Sequence, residues 1–441
     1  MNPLLEWVYI AGLFLWSLFL VKRSGSSHKF LLFLIVWWLW AYTLPAIRNL
    51  IFPFAKGFEI QPSRVLLLLF FPYIFMKSLI GQRPRFLEES SFEKFLIAFY
   101  ITGLVGLIYH LGGAIGSREA FVTYSGWLTF LAVYLILRQY ADEGMIVGIL
   151  RAFIAIAILS SIVAIIQFLF LTDFLRYTFE RPAFGGHLRS NGLFRDEYVH
   201  SYFCIIASYA TLLFVKNRLS KALILTTLAI GVALSFHRMS WAIFLITFGL
   251  SFFSLSKGKS LATKGLVVGA IVLAFISGNL WLESHKKTSF VQERVYDDTV
   301  SGRVAFFEAA AQRISKEWMF GVGGVRTNAY YHDAVVSGNE YVVTEEVGGI
   351  HNLYLFLAYF YGTPVALSFT GFLVAAAFFF WKCLKRTHTF YLFPAMTVLM
   401  FILANLSNWF PPNTDIAIYL AIIIGLSLSV WKNGLENRIS L

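Results

Sequence analysis

The chain reads as long apolar runs separated by short polar breaks. Runs of near-spanning length cover Leu4–Val21, Phe30–Ile47, Val65–Ile80, Phe95–Gly113, Ala120–Leu137, Ile146–Leu171 and Val199–Val215. They continue at Ala222–Phe236, Ser240–Leu255, Gly265–Trp281, Pro364–Trp381, Thr389–Trp409 and Asp415–Trp431. About 20 apolar residues cross a hydrocarbon core of about 30 Å, so the pattern predicts an all-α, polytopic integral membrane protein with about 12–14 transmembrane helices. The first run reads as a span rather than a cleaved signal peptide: it carries Glu6 instead of a basic leader, and Lys22-Arg23 lie beyond its far end. Two connections are too long to be turns, one from Thr172 to about Tyr198 and one from Leu282 to about Ile350. In the second, Val304, Phe307, Ala311, Ile314 and Trp318 recur at spacings of 3 and 4, which predicts an amphipathic helix from Gly302 to Phe320, capped by Ser301 and ended by Gly321 with Gly323-Gly324.

Composition agrees with the pattern. Of the 441 residues, 58% are hydrophobic and only 14% charged, against about 25% charged in soluble domains; a soluble enzyme is excluded. The net charge of +12 would suggest nucleic acid in a soluble chain. Here Lys and Arg gather in alternate connections: Lys22/Arg23/Lys29, Arg83/Arg85/Lys94, Lys216/Arg218/Lys221, Lys257/Lys259/Lys264 and Lys382/Lys385/Arg386. These read as cytoplasmic by the positive-inside rule, so the charge carries orientation and no nucleic-acid partner is expected. Both long connections then face outward, as does the Ser235-Phe236-His237-Arg238 corner. The sequence divides into N-terminal spans (1–171), a first outer loop with central spans (172–281), the large loop with its return helix (282–362) and C-terminal spans (363–441).

The candidate chemistry is cationic. No cluster of His, Cys, Asp and Glu has metal-ligand spacing; His187 and His200, 13 positions apart, are the nearest approach. The adjacent acids Asp196-Glu197, Asp297-Asp298 and Glu345-Glu346 read as solvated faces. By contrast Arg176, Arg181, Arg189, Arg195, Arg238, Arg303, Arg313 and Arg326 all fall on the outer side, where orientation does not explain them. Taken singly, each fits a surface ion pair. Arg238 lies between two apolar runs at the membrane edge, where a guanidinium calls for a carboxylate or phosphate. Arg303 falls in the first turn of the loop helix, a place suited to a cation only if an anion binds there too. His351 opens an apolar helix. It fits an N-terminal cap or interface anchor, and it equally fits a neutral general base.

These residues carry a resemblance. His351-Asn352, nine residues and Gly362 resemble the signature of bacterial O-antigen ligases, departing from it at Val365; His351-Asn-Leu-Tyr354-Leu is similar to the opening shared with O-antigen and exopolysaccharide polymerases. Arg189-Ser-Asn-Gly192-Leu-Phe194, the Phe236-His-Arg238-Met-Ser corner (with His237 where Ser is commoner) and Ser301-Gly-Arg303 followed by Gly321-x-Gly323 resemble further elements of that superfamily, in its order. The resemblance implies a multi-pass inner-membrane glycosyltransferase with its site facing the periplasm. Its donor would be a glycan on undecaprenyl diphosphate and its acceptor lipid A-core for a ligase, or another lipid-linked repeat unit for a polymerase. No metal, nucleotide sugar or other cofactor is implied. Arg238, Arg303 and Arg189 would meet the diphosphate and His351 would act as base, with Asn352, Arg313 and Tyr354 in support. A transporter of lipid-linked glycan explains the spans and arginines as well, but explains less readily the long outer loop and the lack of visible paired repeats.

Overall fold

The computed structural model describes residues 3–41, 91–111, 117–170, 188–255, 310–323, 351–386, 388–408, 410–412 and 414–436, with the single positions 175 and 307. Among these residues the regular elements are all helices, as the apolar runs predict. The helices are α1 (Pro3–Arg23), α2 (Lys29–Ala41), α3 (Ser91–His110), α4 (Ser117–Tyr140), α5 (Glu143–Leu169), α6 (Glu197–Phe214), α7 (Arg218–Leu234) and α8 (Arg238–Leu255). After the large loop come α9 (Leu353–Tyr361), α10 (Thr363–Arg386), a 3-10 turn (Thr389–Tyr391), α11 (Leu392–Ala404) and α12 (Asp415–Asn433). Five described helices are long and apolar enough to cross a bilayer: most of α3, and α5, α8, α10 and α12. The runs at Val65–Ile80 and Gly265–Trp281 lie outside the described residues.

The helices pack as one bundle. α4 lies against α12, α3 against α10, and α5 against α2, α6 and α7, while α11 touches α6, α8, α10 and α12. The spanning window of α12 is 83% buried by protein and that of α8 only 28%, so α12 is the central post and α8 presents most of its surface outward. The remaining apolar surface of α3 and α8 (Ile101, Val105, Ile108, Ile246) is exposed, which suits lipid contact.

Contacts between connections agree with the alternation of Lys and Arg. Asp142, between α4 and α5, accepts hydrogen bonds from Ser26 and Ser27, between α1 and α2. Tyr391 donates to Glu436, next to Lys432. At the opposite end His110 meets Phe320 O, and Asn408 meets Tyr202. Each contact joins segments that the charge pattern assigns to one side.

Two elements differ from the sequence reading. The run Thr389–Trp409 opens as a 3-10 turn and continues as α11, which stops at Ala404, where Asn405 turns the chain: its Oδ1 accepts from Phe410 N and its Nδ2 donates to Phe401 O. In the large loop, residues 310–316 are helical, and Gly321, at φ 68°, ends the segment as expected. Phe307, Ala310 and Ile314 pack toward the bundle, whereas Ala311 and Trp318 are exposed. The buried stripe is therefore narrower than the apolar spacing implies.

Candidate functional site

The site is built at the bundle end remote from the lysine-rich connections. α7 runs to Leu234 and α8 starts at Arg238, so three residues make the reversal. Ser235 donates to Val232 O and accepts from His237 N, and Phe236 takes a left-handed φ of 49° with its ring near Trp241 and Phe168. The corner places Arg238, exposed, at the first position of an 18-residue helix. His237 is fixed behind it by Ser240, whose Oγ lies 2.6 Å from His237 Nδ1 and 2.6 Å from Ser201 Oγ on α6.

His351 stands one position before the cap of α9. Asn352 is the capping residue: its Oδ1 accepts from Tyr354 N at 3.0 Å and Leu355 N at 3.1 Å. Of the readings open for His351, the helix cap therefore belongs to Asn352. Three bonds hang the start of α9 on the end of α11: Leu353 N to Asn405 O (3.0 Å), Asn352 Nδ2 to Leu406 O (3.2 Å) and Tyr354 OH to Ile402 O (3.1 Å). Asn352 and Tyr354 are thus placed as anchors of the helix that carries His351. At nine residues, α9 is about 13 Å long and too short to span. It ends at Gly362, φ 95°, where an added Cβ would strike Met319 O. Val322 N and Gly323 N then bond Tyr359 O and Phe360 O at 2.8 and 3.1 Å, and Thr363 N bonds Trp318 O at 2.7 Å. The glycine of the His-Asn signature is where the large loop docks onto the α9–α10 junction.

Arg189 lies at the same end, in a loop folded around Gln167. Gln167 accepts from Asn191 N and Gly192 N and donates to Gly192 O. Arg189 Nη1 pairs with Glu197 Oε1 at 2.8 Å, both side chains being largely buried. Glu197 is therefore not part of a solvated face, as its neighbour Asp196 suggested; the return of the loop onto the first turn of α6 buries it against Arg189. Arg313 makes an exposed i,i+4 pair with Glu317 at 2.9 Å. Arg303 lies outside the described residues, as do Arg176, Arg181, Arg326, His187 and the pairs Asp297-Asp298 and Glu345-Glu346. His200, on α6 beneath that loop, is wholly buried against α5, with Ser160 Oγ 2.8 Å from its Nδ1.

Sequence reasoning missed Glu197, Tyr202 and the two asparagines at the end of α11. Asn405 and Asn408 carried a signal, as two amides closing an otherwise apolar run.

Residues 222–370 match the family model described as O-antigen ligase. That segment is similar to the O-antigen ligase family. The matched segment is about a third of the chain. It holds the corner at Arg238, the loop helix, His351, Asn352, Tyr354 and Gly362, whereas Arg189 lies upstream of it. The match supports membership of the O-antigen ligase/polymerase superfamily and, in general terms, a multi-pass membrane enzyme that transfers glycosyl groups from lipid-linked glycans. Among curated proteins, none matches the chain.

Proposed function

We propose that the protein is an O-antigen ligase of the inner membrane, transferring a glycan from undecaprenyl diphosphate to lipid A-core at the periplasmic face. The observation that carries this reading is the joint placement of Arg238 and His351, both inside the matched segment, at the bundle end opposite the basic connections. Arg238 begins α8, where the positive end of the helix dipole and a guanidinium together favour an anion. The sequence adds Arg303 in the same role, and Arg189 as a third contact whose charge Glu197 already offsets.

In this mechanism the acceptor hydroxyl oxygen attacks the anomeric carbon as the bond from that carbon to the diphosphate oxygen breaks. His351 takes the hydroxyl proton, and the lipid diphosphate leaves with its charge held by the arginines. One displacement inverts the anomeric centre. The arginines supply the electrostatic stabilisation that a divalent cation supplies elsewhere, so the reaction is metal-independent. Asn352 and Tyr354 hold the base in place, and Arg313, on the far part of the loop helix, contributes at most long-range attraction.

The description of the matched family favours ligation over polymerisation. Deletion of the gene and electrophoresis of the lipopolysaccharide test the choice. Loss of all O-antigen from the core is the expected result; retention of a single repeat unit would overturn ligation in favour of a polymerase.

A further inference from the structure

The two groups assigned to the chemistry sit on elements far apart in sequence, α8 and the start of α9, and something must fix their separation. Asn405 does not reach α8: its amide is spent within its own turn, on Phe401 O and Phe410 N. Asn408, three residues on, also bonds locally to Ala404 O at 3.1 Å, but its Nδ2 reaches out of the turn to Tyr202 OH on α6 at 3.1 Å. The Tyr202 ring in turn stands edge-on to His237, with centroids 5.8 Å apart at 77°, and edge-on to Phe410 at 5.6 Å. His237 is the residue immediately before Arg238 and is pinned to Ser240, which is pinned to Ser201 on α6. On the other side, the turn that carries Asn408 supplies the carbonyls of Asn405 and Leu406 from which α9 hangs. A continuous run of contacts therefore leads from the residue beside Arg238, through Tyr202 and Asn408, to the residue beside His351.

We infer that Tyr202 and Asn408 form a positioning bridge that sets the distance between the phosphate-binding corner at Arg238 and the base at His351. Neither residue touches substrate in this account; both act through the elements they join. The inference rests on the proposed roles of Arg238 and His351. A polar side-chain bond between two helix ends also holds the bundle together, so the bridge has to be separated from plain stability. Tyr202→Phe does this well, because it keeps the ring contacts with His237 and Phe410 and removes only the hydroxyl. A misplacement of about 1 Å costs on the order of 10²-fold in rate when reacting groups must align. Such a loss falls on kcat, because the bridge does not contact the donor.

The test uses the purified full chain in detergent, a lipid-diphosphate-linked oligosaccharide as donor, and measured kcat, KM for donor and Tm. Tyr202→Phe and Asn408→Ala should each lower kcat by about 10- to 100-fold with KM and Tm nearly unchanged. The losses should not multiply in the double variant, since both substitutions remove the Asn408–Tyr202 bond, although Tyr202→Phe also removes the hydroxyl's bond to Ser240 and Asn408→Ala the bond to Ala404 O. Full kcat in Tyr202→Phe, multiplying losses in the double variant, or a kcat loss that tracks a fall in Tm would each overturn the bridge. His351→Ala and Arg238→Lys run alongside separate two kinds of failure. If they keep transfer, the underlying mechanism fails and takes the bridge with it. If they lose transfer while Tyr202→Phe keeps it, only the bridge fails.

Discussion

The two ends of the bundle use polar residues differently. At the lysine-rich end they close the structure. Asp142 caps α5 through Met145 N at 2.7 Å while accepting from Ser27 N and Ser27 Oγ at 2.7 Å each, tying α1–α2 to α4–α5. Glu93 is locked between Arg138, at 3.0 Å, and the Tyr134 hydroxyl. At the opposite end the polar residues also make bonds, but many of those bonds position other residues: Asn352 and Tyr354 hang the helix behind His351, and Ser240 holds His237 behind Arg238. At that opposite end His200 and His351 differ in exposure. His200 is wholly enclosed, and a Cβ on Gly192 or Gly231 would intrude on its neighbours Ser160 and Ser161. His351 is only half-buried and precedes a helix whose cap is another residue.

That contrast can be broken or sharpened by substitution. The largest expected effect is at His351. His351→Ala should lower glycan transfer by about 10²- to 10⁴-fold, the usual contribution of a positioned base, with membrane insertion intact; purified protein and a lipid-diphosphate donor measure it. Next come the arginines. Arg238→Lys and Arg303→Lys should each lose most activity, because a diphosphate site needs the forked geometry as well as the charge. Arg313→Lys, at an exposed ion pair, should lose little. Equal tolerance at all three would reduce the arginines to charge steering, which added salt would mimic.

Smaller effects test the scaffold. Gly362→Ala places a Cβ against Met319 O at a φ of 95°, so it should cost about 1–3 kcal/mol and lower Tm, whereas Gly12→Ala, with nothing within 4 Å, should not. The smallest effect belongs to the other end. Burial works to raise the Asp142 pKa, but the Ser27 hydroxyl and the Met145 and Ser27 amides outweigh it and hold the carboxyl below its usual value. A depressed folded pKa stabilises above the ordinary carboxylate range and loses that contribution as pH falls through it. Asp142→Asn keeps an acceptor for Met145 N but loses the second oxygen that Ser26 and Ser27 bond, and should lower Tm by an amount corresponding to about 1 kcal/mol of loop bonds at neutral pH. The difference from the parent should narrow as pH falls below about 4, and transfer activity should be unchanged.

Much of the fold was legible in the sequence because a spanning helix is a one-dimensional signal. Eleven of the apolar runs, from Leu4–Val21 to Asp415–Trp431, correspond to described helices, since the bilayer demands long apolar stretches regardless of partners. Of the proposed site, His351 and Arg238 were visible as polar residues interrupting apolar runs at the wrong side for orientation. What was not legible depended on tertiary return. Glu197 looked like half of a solvated acidic pair until the loop folded Arg189 onto it. Asn408 looked like the polar edge of a span until α11 brought it to Tyr202, 206 positions away. Asn352, rather than His351, proved to be the cap because its shorter side chain reaches the amides of the next turn.

The central claim is that the end bearing Arg238 and His351 transfers glycan by base catalysis and arginine stabilisation. The most direct measurement is transfer by purified protein in EDTA, from a lipid-diphosphate glycan to lipid A-core, with the unmodified chain and His351→Ala side by side. The account predicts product from the unmodified chain in EDTA and almost none from the variant. Near-normal transfer by the variant, or activity lost in EDTA and restored by Mg²⁺ or Mn²⁺, would contradict it.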